Sequence, residues 1–321
     1  IVEFNQQKVL DAFQEEQISE SHFNPTTGYG YDDIGREKLE KVYAKVFRTE
    51  DALVRPQIIS GTHAITLSLF GVLRPNDELL YITGKPYDTL EEIVGIRGDG
   101  TGSLKDFHIG YDDVPLLDDG SINYKEIEAR ITDRTKMIGI QRSKGYANRP
   151  SFSISQIEEM VRFVKEIKPD VVVFVDNCYG EFTEELEPTD VGVDLMAGSL
   201  IKNPGGGLAK TGGYIVGRSD LVELCANRLA APGLGKEAGA TLYSLQEMFQ
   251  GFFLAPHVVG EALKVALFTS CLLEKCGFVT NPSYTEHRTD LIQSVTFPTS
   301  EEMIAFCQAI QKASPINSHV L

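Results

Sequence analysis

Three segments of the chain carry residues with useful chemistry, and each follows an apolar run. They are residues 60–62 (Ser-Gly-Thr), Asp176 after the run 171–175, and Lys202, three residues after Ser199. A helix N-terminus with small hydroxylated residues binds anions such as phosphate. A carboxylate at the end of an apolar strand needs a partner, and a protonated ring nitrogen is one such partner. A reachable, partly desolvated lysine amine forms imines with carbonyl groups.

Each of these segments also has a more ordinary interpretation. Residues 60–62 suit a simple helix N-cap. Asp176 suits a cap of a following helix or a pair with an arginine. Lys202, followed by Asn-Pro and three glycines, suits a lysine on the surface. Taken singly, no segment decides between the two interpretations, and their order along the chain is the more informative observation.

From residue 57 onward, short apolar runs alternate with helical patterns. We predict strands at 58–60, 78–82, 135–141, 171–176, 195–199 and 214–216, and helices at 1–25, 35–47, 62–73, 89–97 and 155–167. Such alternation predicts an α/β fold with a mainly parallel central sheet and helices on both faces. Ligands in these sheets lie beyond the carboxyl ends of the strands, so we expect the three segments to meet there.

The pattern of predicted strands and helices changes along the chain and predicts three regions. Residues 1–50 are expected to form an N-terminal helical arm, residues 51–231 a large cofactor-binding domain, and residues 232–321 a smaller C-terminal α+β domain. The chain opens on Ile1 rather than Met and ends at Leu321 in strand-like sequence. We therefore expect further residues at one or both ends.

Composition narrows the classes of function. The 321 residues are 42% hydrophobic and 24% charged, as in folded soluble proteins, and the net charge is −16. A basic face for nucleic acid is lacking, and an acidic surface disfavours anionic membranes. No apolar run approaches the roughly 20 residues of a membrane span. The five cysteines match no metal or disulfide motif. We expect a cytoplasmic protein with no metal site, no nucleic-acid partner and no membrane partner.

Three features resemble other kinds of site only faintly. Residues 205–211 have Ala209 where a P-loop requires glycine. The glycine-rich segment 98–102 lacks the spacing of a dinucleotide fingerprint, and we predict a turn there. His63 has no second His or Cys at metal-ligand spacing, so it is expected over the ligand that the three segments bind or in local packing.

The order of the three segments resembles that of fold-type I pyridoxal-phosphate enzymes. Val175 to Tyr179 is similar to the Val-Asp-Asn-Thr stretch of the cystathionine γ-synthase and methionine γ-lyase group, and Ser60-Gly61 to its Ser-Gly-Met phosphate cup. Ser199 and Tyr87 resemble its phosphate-binding serine and its ring-stacking tyrosine. Residues 28–36, 60–64 and 199–207 look like the methionine γ-lyase-related family associated with aluminium resistance. The resemblance covers roughly residues 24–260.

This resemblance implies a cofactor, pyridoxal 5′-phosphate, and a role for each matching residue. Lys202 would hold the cofactor as a Schiff base, Asp176 would pair with its ring nitrogen, and Tyr87 would cover the ring. The implied phosphate ligands are Ser60, Gly61, Thr62 and Ser199, together with Tyr29 and Tyr31 donated by a neighbouring subunit. A homodimer or homotetramer is therefore expected.

The implied activity is that of a carbon–sulfur lyase on a sulfur amino acid of the cystathionine, cysteine or methionine type. Lys202 would remove the α-proton, and β- or γ-elimination would follow. An aminotransferase, another pyridoxal-phosphate amino-acid enzyme and a non-catalytic stress protein of the same fold remain alternatives. The presence of both Lys202 and Asp176 favours an enzyme.

Three departures from the family pattern concern binding groups. The stretch Tyr29-Gly30-Tyr31 lacks the arginine of the family's Tyr-x-Arg pair, and Ile201 replaces the threonine before the Schiff-base lysine. Arg288 is the only arginine after Lys275, and its context does not resemble the family's carboxylate-binding motif. The residue that binds the substrate carboxylate is therefore left open.

Overall fold

A seven-stranded sheet forms the centre of the computed structural model, which describes residues 1–99 and 101–320. The strand order is β1-β7-β6-β5-β4-β2-β3, and β7 runs antiparallel to both its neighbours while the other pairs are parallel. The bounds are β1 Asp51–Arg55, β2 Glu78–Tyr81, β3 Gly110–Asp113, β4 Thr135–Gln141, β5 Val172–Asp176, β6 Leu195–Ser199 and β7 Gly213–Gly217. The predicted, mainly parallel sheet is confirmed.

Helices cover both faces of this sheet. They are α1 Val2–Glu15, α2 Ile34–Val46, α3 Gly61–Val72, α4 Glu91–Val94, α5 Tyr124–Arg130, α6 Ile154–Ile167, α7 Ser219–Leu229, α8 Leu245–Lys275 and α9 Ser300–Ala313. Side chains of β5 alternate between two cores, with Val173 and Val175 on one side and Val172 and Phe174 on the other. Burial on both faces explains why β5 is a continuous apolar run. A separate hairpin, β8 Val279–Asn281 and β9 Ser294–Thr296, lies in the C-terminal part.

The longest described helix, α8, has the length and composition of a membrane span. Its Phe249, Phe252 and Val259 are buried in the core, and the helix packs against α1. Core helices of soluble folds pass the same test of length and composition. The buried apolar side chains of α8 therefore have a packing role within the described fold, while Val265 and Phe268 are 62% and 68% exposed.

Several predicted elements differ from the structure. Residues 58–60 are not a strand: β1 lies earlier, at Asp51–Arg55, and Ser60 caps α3. Strand β1 was not predicted because its apolar centre is only three residues long and lies between Asp51 and Arg55. The helix predicted over 89–97 is a short 3₁₀ turn, Asp88–Leu90, followed by α4, which ends at Val94 and is capped by Gly95 with φ 88°. The first helix ends at Glu15 instead of continuing to 25, and Gln17 has a positive φ.

The edge of the sheet and the chain end were also predicted incompletely. Strand β3 was missed because its Gly-Tyr-Asp-Asp sequence is polar, as edge strands often are. Residues 314–320 form turns and bends, not a strand, and Leu321 lies outside the described residues. The turn predicted at 98–102 includes Gly100, which also lies outside them. The proposed boundaries at residues 50 and 231 stay predictions.

Candidate active site

The carboxyl ends of the central strands meet at one cavity. Five of the residues predicted for the site line it: Gly61, Thr62, Tyr87, Asp176 and Lys202. Strands β4 and β5 place Gln141 and Asp176 as register partners, and Asp176 pairs in turn with Ala197 of β6. The convergence follows from the parallel arrangement of these strands, whose carboxyl ends share an edge.

The N-terminus of α3 forms one wall of this cavity. Ser60 caps the helix, since its hydroxyl accepts a hydrogen bond from the His63 amide at 3.1 Å. A Cβ on Gly61 would lie 3.2 Å from the Cβ of Ser199 and 3.1 Å from the Sγ of Cys178, so a larger residue would crowd this wall. The hydroxyl of Ser199 is buried and has no hydrogen-bond partner in the structure. A free hydroxyl beside a helix N-terminus suits an anionic group.

Asp176 is a nearly buried carboxylate at the floor of the site, with 5% of its surface exposed. Its Oδ1 accepts a hydrogen bond from the Cys178 amide at 3.1 Å. Burial raises the pKa of Asp176, while Lys202 and the Cys178 amide act in the opposite direction. A carboxylate in this position is stabilised by a cationic partner.

Lys202 lies in the turn after β6 and reaches back over Tyr179. Its Nζ is 4.2 Å from the centroid of the Tyr179 ring, and Tyr179 has a φ of 72°. Burial alone lowers the pKa of Lys202, but Cys178, Asp176 and Tyr179 raise it, and the net shift is upward. The amine is therefore an ammonium ion at neutral pH and has to lose a proton before it attacks a carbonyl.

The glycines after Lys202 are explained by contact with α8. A Cβ on Gly206 would collide with the carbonyl group of Gly251, and a Cβ on Gly251 would collide with that of Gly205. Gly206 also has a φ of 54°. These glycines bring the turn that follows Lys202 into direct backbone contact with a buried helix, which fixes the position of the lysine.

Tyr87 stands at the mouth of the site. Its ring centroid is 5.9 Å from that of Tyr146. Burial and the contact with Tyr146 raise the pKa of Tyr87 to about 12. The hydroxyl therefore stays protonated at neutral pH and has a proton to donate.

Four of the predicted ligands are not among the residues that line this cavity: Ser60, Ser199, Tyr29 and Tyr31. Tyr29 and Tyr31 are 75% and 52% exposed, and their rings stack on each other with centroids 5.5 Å apart. Neither ring lines the cavity around Lys202. Their predicted contact with a neighbouring subunit's cofactor stays a prediction.

Other residues considered from the sequence have local roles. Lys210, the nearest rival of Lys202, is 79% exposed and pairs with Glu247 at 2.7 Å. The Nδ1 of His63 accepts a hydrogen bond from the Ile59 amide at 3.2 Å, so its packing is local. Arg288 donates to Ser270 at 2.9 Å and does not line the cavity.

Six residues that line the cavity were given no role from the sequence: Ile65, Gln141, Ser143, Gly145, Cys178 and Tyr179. Gln141 donates through Nε2 to the Ser143 carbonyl at 2.9 Å, and its Oε1 is buried without a partner. It ends a predicted strand, so the rule that polar residues at strand ends reach the ligand edge would have found it. Cys178 and Tyr179 follow Asp176 directly, and the same rule points to them.

A sequence model of the methionine gamma-lyase family matches residues 1–321. The chain belongs to this family. The uncharacterized protein YnbB of Bacillus subtilis strain 168 is 68% identical over 321 residues, which are 100% of this chain and 76% of that protein. The chain thus spans about three quarters of the length of this family member.

Solved structures of similar proteins agree with the fold. A Listeria monocytogenes protein, whose name connects it with cystathionine β-lyases and aluminium resistance, is 67% identical with a TM-score of 0.99 over 100% of this chain and 79% of that one. A Clostridium novyi carbon–sulfur lyase involved in aluminium resistance is 51% identical, with a TM-score of 0.97 over 99% and 76%. The pyridoxal-5′-phosphate-dependent protein YhfS of Escherichia coli, at 16% identity, has a TM-score of 0.69 over 98% and 80%. The fold-type I prediction is confirmed.

Proposed function

We propose that the chain is a pyridoxal-phosphate-dependent carbon–sulfur lyase acting on a sulfur amino acid. The observation that carries the proposal is the meeting of Lys202 and Asp176 in one cavity beside the N-terminus of α3. An amine, a buried carboxylate and an anion site are the three groups that this cofactor needs for its aldehyde, ring nitrogen and phosphate. Membership of the methionine gamma-lyase family supports the same chemistry.

The residues present fit the cofactor. The unpartnered hydroxyl of Ser199 and the amides at Gly61 and Thr62 suit its phosphate. Asp176 suits its protonated ring nitrogen, since burial leaves this carboxylate in need of a cation. Lys202 suits its aldehyde. The absence of a side chain at Gly61 leaves room beside Ser199 and Cys178.

When bound, the cofactor supplies an electron sink for the charge that develops on the substrate α-carbon. The carboxylate of Asp176 would stabilise the positive charge of the protonated ring nitrogen. The Nζ of Lys202 takes the α-proton and, held over Tyr179, stays on one side of the cavity. The hydroxyl of Tyr87, protonated because its pKa is raised to about 12, donates to the departing sulfur.

The overall reaction balances with water as the co-reactant. In β-elimination the Cα–H bond and the Cβ–S bond of the amino acid break, and the sulfur leaves as a thiol from cystathionine or as hydrogen sulfide from cysteine. Hydrolysis then releases a keto acid and ammonia. We favour β-elimination from cystathionine or cysteine over γ-elimination from methionine. Transamination differs because it retains the amino group on the cofactor until a second keto acid accepts it.

The experiment that tests the proposal compares these products directly. The full protein with cofactor is incubated separately with cysteine, cystathionine and methionine, and keto acid, thiol and transferred amino groups are measured. Steady release of keto acid and thiol without an added acceptor is expected. Turnover only after a keto-acid acceptor is supplied would contradict the lyase and favour an aminotransferase. Bound cofactor without turnover of any amino acid would favour a non-catalytic protein.

A further inference from the structure

Tyr81, the last residue of β2, is a fully buried tyrosine whose hydroxyl has no hydrogen-bond partner among the described residues. Buried polar groups in proteins are nearly always paired, because a buried hydroxyl without a partner has lost its hydrogen bonds with water. A phenylalanine would fill almost the same volume without this cost. The hydroxyl of Tyr81 therefore needs an explanation other than core packing.

The position of Tyr81 in the sheet directs its ring toward β5. Tyr81 pairs with Gly139 of β4, and Gly139 pairs in turn with Phe174 of β5. A Cβ on Gly139 would lie 2.6 Å from Cε2 of Tyr81 and 2.9 Å from its Cζ, so the ring lies against the bare backbone of β4. The hydroxyl is bonded to Cζ and therefore projects across β4 in the direction of β5.

The face of β5 toward which Tyr81 projects also carries Asp176. Tyr81 and Phe174 belong to the same core. Side chains two residues apart point to the same face of a strand, so Asp176 follows Phe174 on this face. Asp176 lines the lysine site, whereas Tyr81 is not among its lining residues. The phenol therefore lies under the floor of the site, next to the strand end that carries Asp176.

The charges of the two residues are compatible with a hydrogen bond between them. Burial raises the pKa of Tyr81, and the negative charge of Asp176 raises it further, so the phenol keeps its proton at neutral pH. The Oδ1 of Asp176 accepts a hydrogen bond from the Cys178 amide at 3.1 Å. A carboxylate has sites for about four donors. Asp176 can therefore accept from a phenol and from a protonated ring nitrogen at the same time.

We propose that Tyr81 is a positioning residue whose hydroxyl donates a hydrogen bond to the Asp176 carboxylate when pyridoxal phosphate is bound. The inference rests on the proposed function, because it concerns the carboxylate that would meet the ring nitrogen of this cofactor. Hydrogen bonds of this kind often tighten only in the complex with the ligand. A donor to Asp176 stabilises its ionised form, so the proton between carboxylate and ring stays on the nitrogen.

A purely structural role for Tyr81 makes a different prediction. In that case the ring fills the space above Gly139, and the unpaired hydroxyl only destabilises the fold. Tyr81→Phe would keep the ring and remove the hydroxyl, so the Tm would stay the same or rise. The binding of pyridoxal phosphate would not change. The two roles therefore differ in cofactor binding and not only in stability.

The test compares pyridoxal phosphate with its deaza analogue, which has a carbon in place of the ring nitrogen and cannot pair with Asp176. The Kd of each ligand for the full protein is measured by absorbance. The variants are Tyr81→Phe, Asp176→Asn and the double variant. Tyr111→Phe is the matched control, because the ring of Tyr111 lies 6.3 Å from that of Tyr81 and its hydroxyl donates to Asp113 at 3.1 Å.

Tyr81→Phe is expected to raise the Kd of pyridoxal phosphate about 10-fold and to leave that of the deaza analogue unchanged, as for a lost hydrogen bond to a charged group. In the Asp176→Asn background the same change should lose most of its effect, because the acceptor is no longer charged. Tyr111→Phe should change neither Kd. Equal weakening of both ligands, no weakening, an undiminished effect in the Asp176→Asn background, or the same selective loss in Tyr111→Phe would overturn the proposal.

A spectroscopic measurement separates positioning from packing. With pyridoxal phosphate labelled with ¹⁵N in its ring, Tyr81→Phe should move the ¹⁵N chemical shift toward that of a neutral pyridine, because the proton moves toward the carboxylate. Tyr111→Phe should keep the wild-type shift. An unchanged ¹⁵N shift in Tyr81→Phe would contradict the proposed role.

Failure of the proposed function gives a different result. A wild-type protein that does not bind pyridoxal phosphate would refute the proposed function, and the role of Tyr81 with it. A wild-type protein that binds pyridoxal phosphate more tightly than the deaza analogue, with a Tyr81→Phe variant that behaves identically, would refute the role of Tyr81 alone.

Discussion

Gly206 and Gly251 meet backbone to backbone where the turn after Lys202 contacts helix α8. A Cβ on Gly206 would overlap the carbonyl of Gly251, and a Cβ on Gly251 would overlap that of Gly205. Backbone atoms cannot move aside as the end of a flexible side chain can. The position of the lysine turn therefore depends on a glycine in a distant helix.

Gly251→Ala is expected to displace the lysine turn and to destabilise the fold by about 1–3 kcal/mol, as overpacking does. The Kd of pyridoxal phosphate, measured by absorbance, should rise, and the Tm should fall. Gly260→Ala is the matched control in the same helix, because its Cβ would meet the side chain of Val2 rather than backbone. A Gly251→Ala protein that binds the cofactor as tightly as Gly260→Ala would contradict this role.

Asp176→Asn is expected to keep the cofactor bound and to lower turnover by orders of magnitude. The neutral amide no longer holds positive charge on the cofactor ring, so charge on the α-carbon is less stabilised. Turnover and bound cofactor are measured on the same sample. Asp194→Asn serves as the control, because Asp194 contacts the Val173 amide at 2.8 Å near the amino end of β5. Near-normal turnover of Asp176→Asn would make Asp176 a structural residue.

Glu181 gives a pH dependence of stability. It is fully buried, accepts a hydrogen bond from Tyr214 at 2.7 Å and has one unpartnered oxygen. Burial raises its pKa from 4.5 to about 8, with Tyr214 opposing. A pKa raised by folding stabilises the native state fully below about pH 4.5, and this contribution is lost as the pH rises to about 8.

Between pH 5 and pH 9, the Tm of wild type should therefore fall relative to that of Glu181→Gln, by the equivalent of a few kcal/mol. Tyr214→Phe removes the hydrogen bond that favours the ionised carboxylate, so its ionisation should move to higher pH. Thermal unfolding of the three proteins in a buffer series measures both effects. A constant difference between wild type and Glu181→Gln across this range would show that Glu181 does not titrate there.

The rings of Tyr29 and Tyr31 stack on each other and are exposed, and their contact with a second subunit is a prediction. Sedimentation at micromolar concentration is expected to give a dimer or tetramer. Replacing both tyrosines with serine should raise the Kd of the cofactor, since two hydroxyl groups that reach the neighbour's phosphate are moved out of range. A fully active monomer would contradict the prediction.

The sequence predicted those parts of the fold and site that depend on local pattern. Strands β4 and β6 were predicted with their observed bounds. Nearly all their side chains are buried, so their sequences consist mostly of apolar and small residues. Asp176 and Lys202 were found because they follow such strands. Strand β1 was missed because its ends are charged, and β3 because an edge strand tolerates polar residues.

What could not be predicted depends on contacts between distant parts of the chain. The contact of Gly206 with Gly251 and the position of Lys202 over the Tyr179 ring arise only when the helices and loops pack. The exposure of Tyr29 is of the same kind. Sequence motifs gave the types of residue at the site, while the unpartnered hydroxyl of Ser199 became evident only from the described hydrogen bonds.

The central claim is that Lys202 holds the cofactor, and chemical trapping tests it most directly. The full protein is loaded with pyridoxal phosphate, reduced with borohydride, digested and analysed by mass spectrometry. The account predicts a phosphopyridoxyl group on Lys202, no such group in Lys202→Ala, and an unchanged result in Lys210→Ala. Cofactor trapped on another lysine, or on a lysine of the Lys202→Ala protein, would contradict it.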